Sequence, residues 1–374
     1  MLRVSTVALL VFLSACGKNT PPPDTSSTTP LSVAATTSQP ALPAPSEAAP
    51  APKTPQPWTA KTVPLPVGTG PAFFDYIACD RATDRVFVPN ARDVGALDVY
   101  DVAAATFTRV GGFKTREQDN KGRKRTLGPS SVTVGDGVVY VGNRATSEVC
   151  AVNAKTLRVG ACLKLSAAID GIAYVASAKE VWVTTPQTQS LAVLDASKPA
   201  SLSSKATIKL PGEPEGFAVD ESRGLFYTNL EDKDRSLVID VKTHAVKSSW
   251  NPGCGEEGPR GVALDAARQF LFVACTDHLQ VLDAAHAGAA LGKLEMGTGV
   301  DNIDYLEGQH LLYVAAGQAA RLTLARVDDR GQLAVVETAP TADRARNAVT
   351  DAKGNAYLID PKGPELLVFP AHPM

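Results

Sequence analysis

Apolar and polar residues alternate in short runs along most of this chain. In "GVALDAARQFLFVAC" (261–275), Val262 and Leu264 mark a first alternating run. A polar turn follows, and "FLFVA" (270–274) is a denser apolar run. Period-two alternation rich in β-branched residues, broken by Asp, Gly, Ala and Arg, predicts strands and turns rather than helices. The unit recurs as "DYIACDRATDRVFVPN" (75–90), "SVTVGDGVVYVGN" (131–143), "GIAYVASAKEVWVTT" (171–185), "GFAVDESRGLFYTN" (216–229), "NIDYLEGQHLLYVAA" (302–316) and "NAVTDAKGNAYLID" (347–360). Counting the unit at 261, the seven copies repeat at about 44 residues. Each unit continues into a third strand, as in "SLVIDVKTHAV" (236–246), and a fourth, as in "AALGKLEMG" (289–297). Four antiparallel strands per unit of this length make a propeller blade. The predicted fold is all-β, a seven-bladed β-propeller over residues 58–374.

The seventh unit runs out of chain before a fourth strand. An unassigned run, "TAKTVPLPV" (59–67), precedes the first unit. It is expected to complete the last blade as its outer strand, which removes two exposed edges and ties the ends of the ring together.

The second strands read "FVPN" (87–90), "YVGN" (140–143), "WVTT" (182–185), "FYTN" (226–229), "FVAC" (272–275), "YVAA" (313–316) and "YLID" (357–360). They resemble the Tyr-Val-Thr-Asn repeat, and the chain looks like a YVTN/YncE-like seven-bladed propeller from Trp58 to Pro370. No Trp-Asp dipeptide occurs, which sets it apart from the WD40 type. The resemblance implies a fold and no particular reaction, because that family is held together by shape. Asn229 recurs as Asn90 and Asn143 at the same strand end, where a turn-capping role is expected.

The first residues do not fit the repeat. Arg3, the apolar run "VALLVFL" (7–13) and "LSACG" (13–17) resemble a bacterial lipoprotein signal. That implies a signal peptide over 1–15, removal before Cys16, lipidation of Cys16, and outer-membrane sorting from Gly17. Residues 17–57 hold 11 of the chain's 27 prolines and almost no large apolar side chains. Such a segment cannot bury enough surface to offset its ordering entropy, so residues 16–57 are expected to be a disordered tether.

Charge and motifs narrow the function classes. A net charge of −2 and a pI near 6.2 leave no footprint for nucleic acid. Nucleophile elbows, phosphate loops and His-Glu-x-x-His are missing. The five histidines (His244, His278, His286, His310 and His372) fall in scattered turns and the tail. Five cysteines follow Cys16. Cys254 and Cys275 flank adjacent antiparallel strands of blade five, so a disulfide is preferred over two buried thiols. Cys150 and Cys162 are offset by two or three residues, and a bridge there needs a bulge. Cys79 is expected to be a packed, unreactive thiol. The basic stretch "FKTREQDNKGRKRTLG" (113–128), with Lys121, Arg123, Lys124 and Arg125, reads as a loop. It is either solvated or a surface for a partner or an anionic headgroup.

One constellation follows from propeller geometry. The residue before each first strand crowds one channel mouth: Phe74, Ser130, Asp170, Glu215, Arg260, Asp301 and Arg346. Asp75, Glu231, Asp232, Glu256 and Glu257 are expected at the same end. This set is either a ligand site, taking a polar ligand or a hard cation such as calcium, or a ring of mutual salt bridges. The leading expectation is an envelope lipoprotein whose propeller binds a protein or an envelope polymer. A lactonase-like hydrolase with a carboxylate-bound divalent cation is one alternative. A propeller subunit of a periplasmic redox complex is another, by analogy of fold alone.

Overall fold

A computed structural model describes residues 57–66, 74–92, 94–120 and 123–373. The expected signal peptide, Cys16 and the tether up to residue 56 lie outside the described residues. Seven four-stranded antiparallel sheets are arranged as the blades of a β-propeller. The first strands of blades one to seven are Ala78–Asp80, Pro129–Gly135, Ile172–Val175, Pro214–Asp220, Pro259–Asp265, Val300–Leu306 and Val349–Thr350. Blade four shows the plan: Pro214–Asp220 pairs with Leu225–Leu230, then Arg235–Asp240, then Val246–Trp250.

Alternation on the second strands sends successive side chains to opposite neighbours. Phe226 packs with Trp182 and Val193 of blade three, while Tyr227 packs with Leu271 and Val273 of blade five. Among the described residues, seven apolar clusters each join two adjacent blades. The core is thus divided into seven wedges. In one of them Trp182 stacks on Phe226 at 4.6 Å, and such a pair contributes about 1 kcal/mol beyond its area of burial.

The ring closes as expected. Blade seven runs outward from Val349–Thr350 through Ala356–Asp360 and Glu365–Phe369 to Lys61–Pro64. Lys61 faces Val368 and Pro64 faces Glu365. Trp58 pins the joint: its Nε1 donates to the Pro370 carbonyl at 2.7 Å, and its ring lies 5.2 Å from Phe369.

Both cysteine pairs are bridged, Cys254–Cys275 and Cys150–Cys162. A bulge between Cys150 and Val152 absorbs the offset seen in the sequence, so Cys150 and Cys162 stand directly opposite, with Cα atoms 4.0 Å apart. Cys79 is free and half-buried, and burial and then Asp304 push its thiol up to about 12. It is therefore protonated and weakly nucleophilic at neutral pH.

The basic stretch differs from expectation. It is a hairpin, Arg116–Asn120 paired with Arg123–Leu127, with Lys121 and Gly122 outside the described residues. Its register sets Asp119 opposite Lys124 and Glu117 opposite Thr126. Cross-strand pairs of this kind stabilise a ladder, which a reading of charge alone does not reveal.

At the end of the ring formed by the turns between first and second strands, charges staple neighbouring blades. Arg268 donates to Asp265 at 2.6 Å, to the Tyr305 hydroxyl at 2.7 Å and to the Asp328 carbonyl at 3.1 Å. Tyr305 also donates to Asp265 at 2.5 Å, and Asp265 is 1% exposed. Arg223 links Asp220 (2.9 Å) to the Ala266 carbonyl (2.8 Å). Arg81 links blade one to Asp304 (2.9 Å) and to the Thr350 carbonyl (3.1 Å).

Candidate functional site

At the opposite end, first strands begin and second strands turn into third strands. These elements surround a cavity of about 960 Å³. Asp75, Asp170, Glu215, Glu231, Glu257, Arg260, Asp301 and Arg346 all line it. Asp232 and Glu256, expected there as well, do not appear among its lining residues. Asp232 is spent within blade four, where it accepts the Glu213 N–H at 2.7 Å from the segment that leads into the first strand. Glu256 sits in the short turn Gly255–Glu257 and is exposed. Glu257 is brought in because the next residue, Gly258, packs on the backbone of Glu231. A Cβ there would lie 1.8 Å from the Glu231 carbonyl oxygen, and its φ of +69° suits glycine.

Two arginines and three aspartates form a continuous belt. Asp170 pairs with Arg144, Arg144 with Asp75 (2.8 Å), Asp75 with Arg346 (3.0 Å), and Arg346 with Asp301 (2.7 Å). The belt passes through blades three, two, one, seven and six in turn. Blades four and five stand outside it with their own pair, Glu231 and Arg260. Burial opposes the charge of Arg346, but Asp301, Asp75 and Glu215 outweigh it and hold the guanidinium protonated. Asp301 is pushed up by burial, against the pull of Arg346. Burial also raises Glu231, with Arg260 opposing.

Glu215 stands in the gap between belt and pair. Among the described residues its carboxylate has one hydrogen-bond partner, the Tyr76 hydroxyl at 3.2 Å. Burial pushes it up to about 8, and Asp301, Asp75 and Glu231 add to the shift. The Tyr76 hydroxyl is raised as well, by burial first and then by Glu215. Behind this contact Tyr76 of blade one stacks on Phe217 of blade four at 5.7 Å, which brings opposite sides of the ring together across the channel. Gly171 permits the stack, since a Cβ there would come within 2.5 Å of Phe217. Tyr76 and Phe217 also line a smaller pocket of about 130 Å³ with Asn302 and Asn347.

The arrangement is a salt-bridged frame with one carboxylate left over. A divalent-cation site needs several carboxylates facing one ion without a cation between them. Here Arg346 bridges Asp75 to Asp301, and Arg144 bridges Asp75 to Asp170. Among the described residues, the grouping with ligand-like spacing is Asp277, His278 and Glu295, none of which lines the mouth cavity.

Arg144 was missed by the sequence reading. It follows Asn143 in a turn between second and third strands, and attention to residues before first strands passes it over. Its signal was the shared strand end: Glu231, two residues past Asn229, was found from the equivalent turn. Arg344, Asp343 and Lys362 also line the cavity, with Lys362 paired to Asp343 at 2.5 Å.

The recurring asparagines divide in role. Asn90 and Asn143 cap turns as expected, their Oδ1 atoms accepting from the N–H of Arg92 and Ala145 at 2.9 Å. Asn229 instead donates to the carbonyl of Arg260 at 2.7 Å, and accepts from Ser236 Oγ at 2.6 Å. It fixes the strand that carries Arg260.

No protein-family model matches the chain, and no curated protein matches it. Solved structures match its fold. A chain of the Mitotic Checkpoint Complex is 11% identical at a TM-score of 0.69, over 89% of this chain and 97% of that one. Hydrazine synthase of Kuenenia stuttgartiensis is 14% identical at 0.66, over 82% and 96%. U3-55K is 9% identical at 0.67, over 83% and 98%. At these identities the likeness is one of fold.

Proposed function

We propose that this chain is a cell-envelope lipoprotein of the YVTN/YncE-like kind, anchored through Cys16. Its propeller acts as a binding module for an envelope protein, which docks on the channel mouth. The observation that carries this reading is the cavity of about 960 Å³ framed by charged residues from many blades. A rigid ring holds those groups at fixed spacing, so a partner is met by a preorganised surface and less ordering entropy is lost on binding. Matching the fold of a chain from the Mitotic Checkpoint Complex supports protein binding in general. The lipoprotein signal and the Pro-rich tether support presentation at a membrane.

The test is an in-cell crosslinking capture with the full-length protein. One specific envelope protein should be recovered with the wild type. It should be lost when Glu231 and Glu257 are both changed to Lys. Recovery of the same partner by the charge-reversed variant would overturn the mouth as the docking face. Mass spectrometry of the mature N-terminus should find a lipidated Cys16, and an unmodified one would refute the anchor.

A further inference from the structure

Charge is unequally distributed around the mouth. The belt and its companion pair contain Asp75, Asp170, Asp301 and Glu231 against Arg144, Arg346 and Arg260, and Glu215 is a fifth acid; Glu257, Asp343, Arg344 and Lys362 also line the cavity, so seven carboxylates meet five basic groups. Arg125 of the hairpin also lies near enough to interact with Arg144 and Asp75. Glu215 lies where blades four and five interrupt the belt, and it lines the cavity. Among the described residues its one hydrogen-bond partner, Tyr76, is a neutral hydroxyl. Asp301, Asp75 and Glu231 all repel its negative form, while the nearby cations that attract it are already paired, Arg260 with Glu231 and Arg346 with Asp75 and Asp301. A half-buried carboxylate beside three others is costly to ionise unless a cation arrives.

Resting on the reading of the mouth as a binding face, we propose that Glu215 is the seat for a cationic side chain, lysyl or arginyl, of the docked protein. The incoming cation completes the charge pattern that the belt leaves open between blades six and three. The stacked rings of Tyr76 and Phe217 stop the channel behind it, so the cationic tip ends its travel at Glu215. A cation attracts both the carboxylate and the ring faces, which favours this position over a neutral group. Tyr76 is a positioning residue, holding one carboxylate oxygen so that the other is turned to the ligand.

Binding must then displace a proton. With its carboxyl up at about 8, Glu215 is mostly protonated at pH 7, and the cation favours the charged form. The proton leaves to solvent as the ion pair forms.

The test is isothermal titration with short peptides, blocked at both ends, that differ at one central residue: lysine, arginine, or Nε-acetyl-lysine. Wild-type protein at pH 8 should bind a basic peptide at least ~10-fold more tightly than the acetylated one, as expected for a charge-assisted contact in a partly dry site. The stronger of the two basic peptides identifies the side chain. At pH 7, titrations in buffers of different ionisation enthalpy should show nearly one proton released per peptide. E215Q should lose the ~10-fold preference and the proton release while staying folded, with a thermal midpoint no lower than that of wild type. Y76F should keep the preference with a shifted pH midpoint.

Equal binding of basic and acetylated peptides would overturn the proposal, as would E215Q binding like wild type or the absence of proton release. If the crosslinked partner is still captured when basic peptides show no dependence on Glu215, the socket fails and the docking face stands. If basic peptides bind through Glu215 but no partner is captured, the docking face fails.

Discussion

The two ends of the ring use charge in opposite ways. At the turn end, Asp265, Arg268 and Tyr305 saturate one another and neighbouring carbonyls. At the mouth, the belt is open between blades six and three, and Glu215 remains beside it. Burial pushes the Asp265 carboxyl up, but hydrogen bonds from Tyr305 and Arg268 outweigh it and hold the group below the usual range. Among the described residues Glu215 accepts from Tyr76 alone, and it is driven the other way. One end is finished by the chain itself. The other is charged in a way that a second molecule can complete.

Breaking the finished end should cost most. D265A leaves Arg268 and Tyr305 without their shared acceptor in a buried place, and should lower stability by about 3–5 kcal/mol in denaturant unfolding. A loss under about 1 kcal/mol would mean that the staple at this end is ornamental. D75N keeps the shape of the belt but removes the charge between two arginines. A smaller loss, roughly 1–3 kcal/mol, is expected from the same measurement.

The pH dependence sharpens the contrast. A carboxyl whose folded value is raised binds its proton more tightly in the folded state, so its contribution is present at low pH and is lost as pH climbs from the unfolded value towards about 8. E215Q should therefore match wild type near pH 5 and melt at a higher temperature than wild type near pH 8.5. Asp265 behaves oppositely, with stability present at neutral pH and lost on acidification through its depressed value. The smallest effect is expected from D232A, which loses one exposed hydrogen bond within blade four and should stay within about 0.5 kcal/mol of wild type. A larger change, in stability or in partner capture, would return Asp232 to the mouth.

Much of the fold was legible because repetition displays itself in sequence. The alternation that put Phe226 towards blade three and Tyr227 towards blade five is a local property of a strand. Closure by residues 61–64 was legible from a missing strand and a spare one. The Cys254–Cys275 bridge followed from strand direction, whereas the register of Cys150 with Cys162 depends on a bulge that no composition rule marks. At the mouth, place in the repeat put Asp170, Glu215, Arg260, Asp301 and Arg346 before first strands, and all five line the cavity. Their partnerships were not legible. Arg144 joins Asp75 and Asp170 from a different blade than either, and such a contact exists only once the ring has closed. Asn229 was misjudged for the same reason: its donor is spent on the next blade, at a carbonyl 31 residues away.

Closure of blade seven also has a consequence in time. Strand Lys61–Pro64 is synthesised before any blade, yet its partner Glu365–Phe369 is made last. Between those moments the early strand has no native neighbour, and the growing stack of blades exposes an apolar blade face at each end. An unpaired strand and open apolar faces are both ready to associate with other chains. The molecule cannot reach its final form by folding blade by blade as it emerges. It waits for residues 365–369, and until they arrive strand Lys61–Pro64 has no partner in the ring.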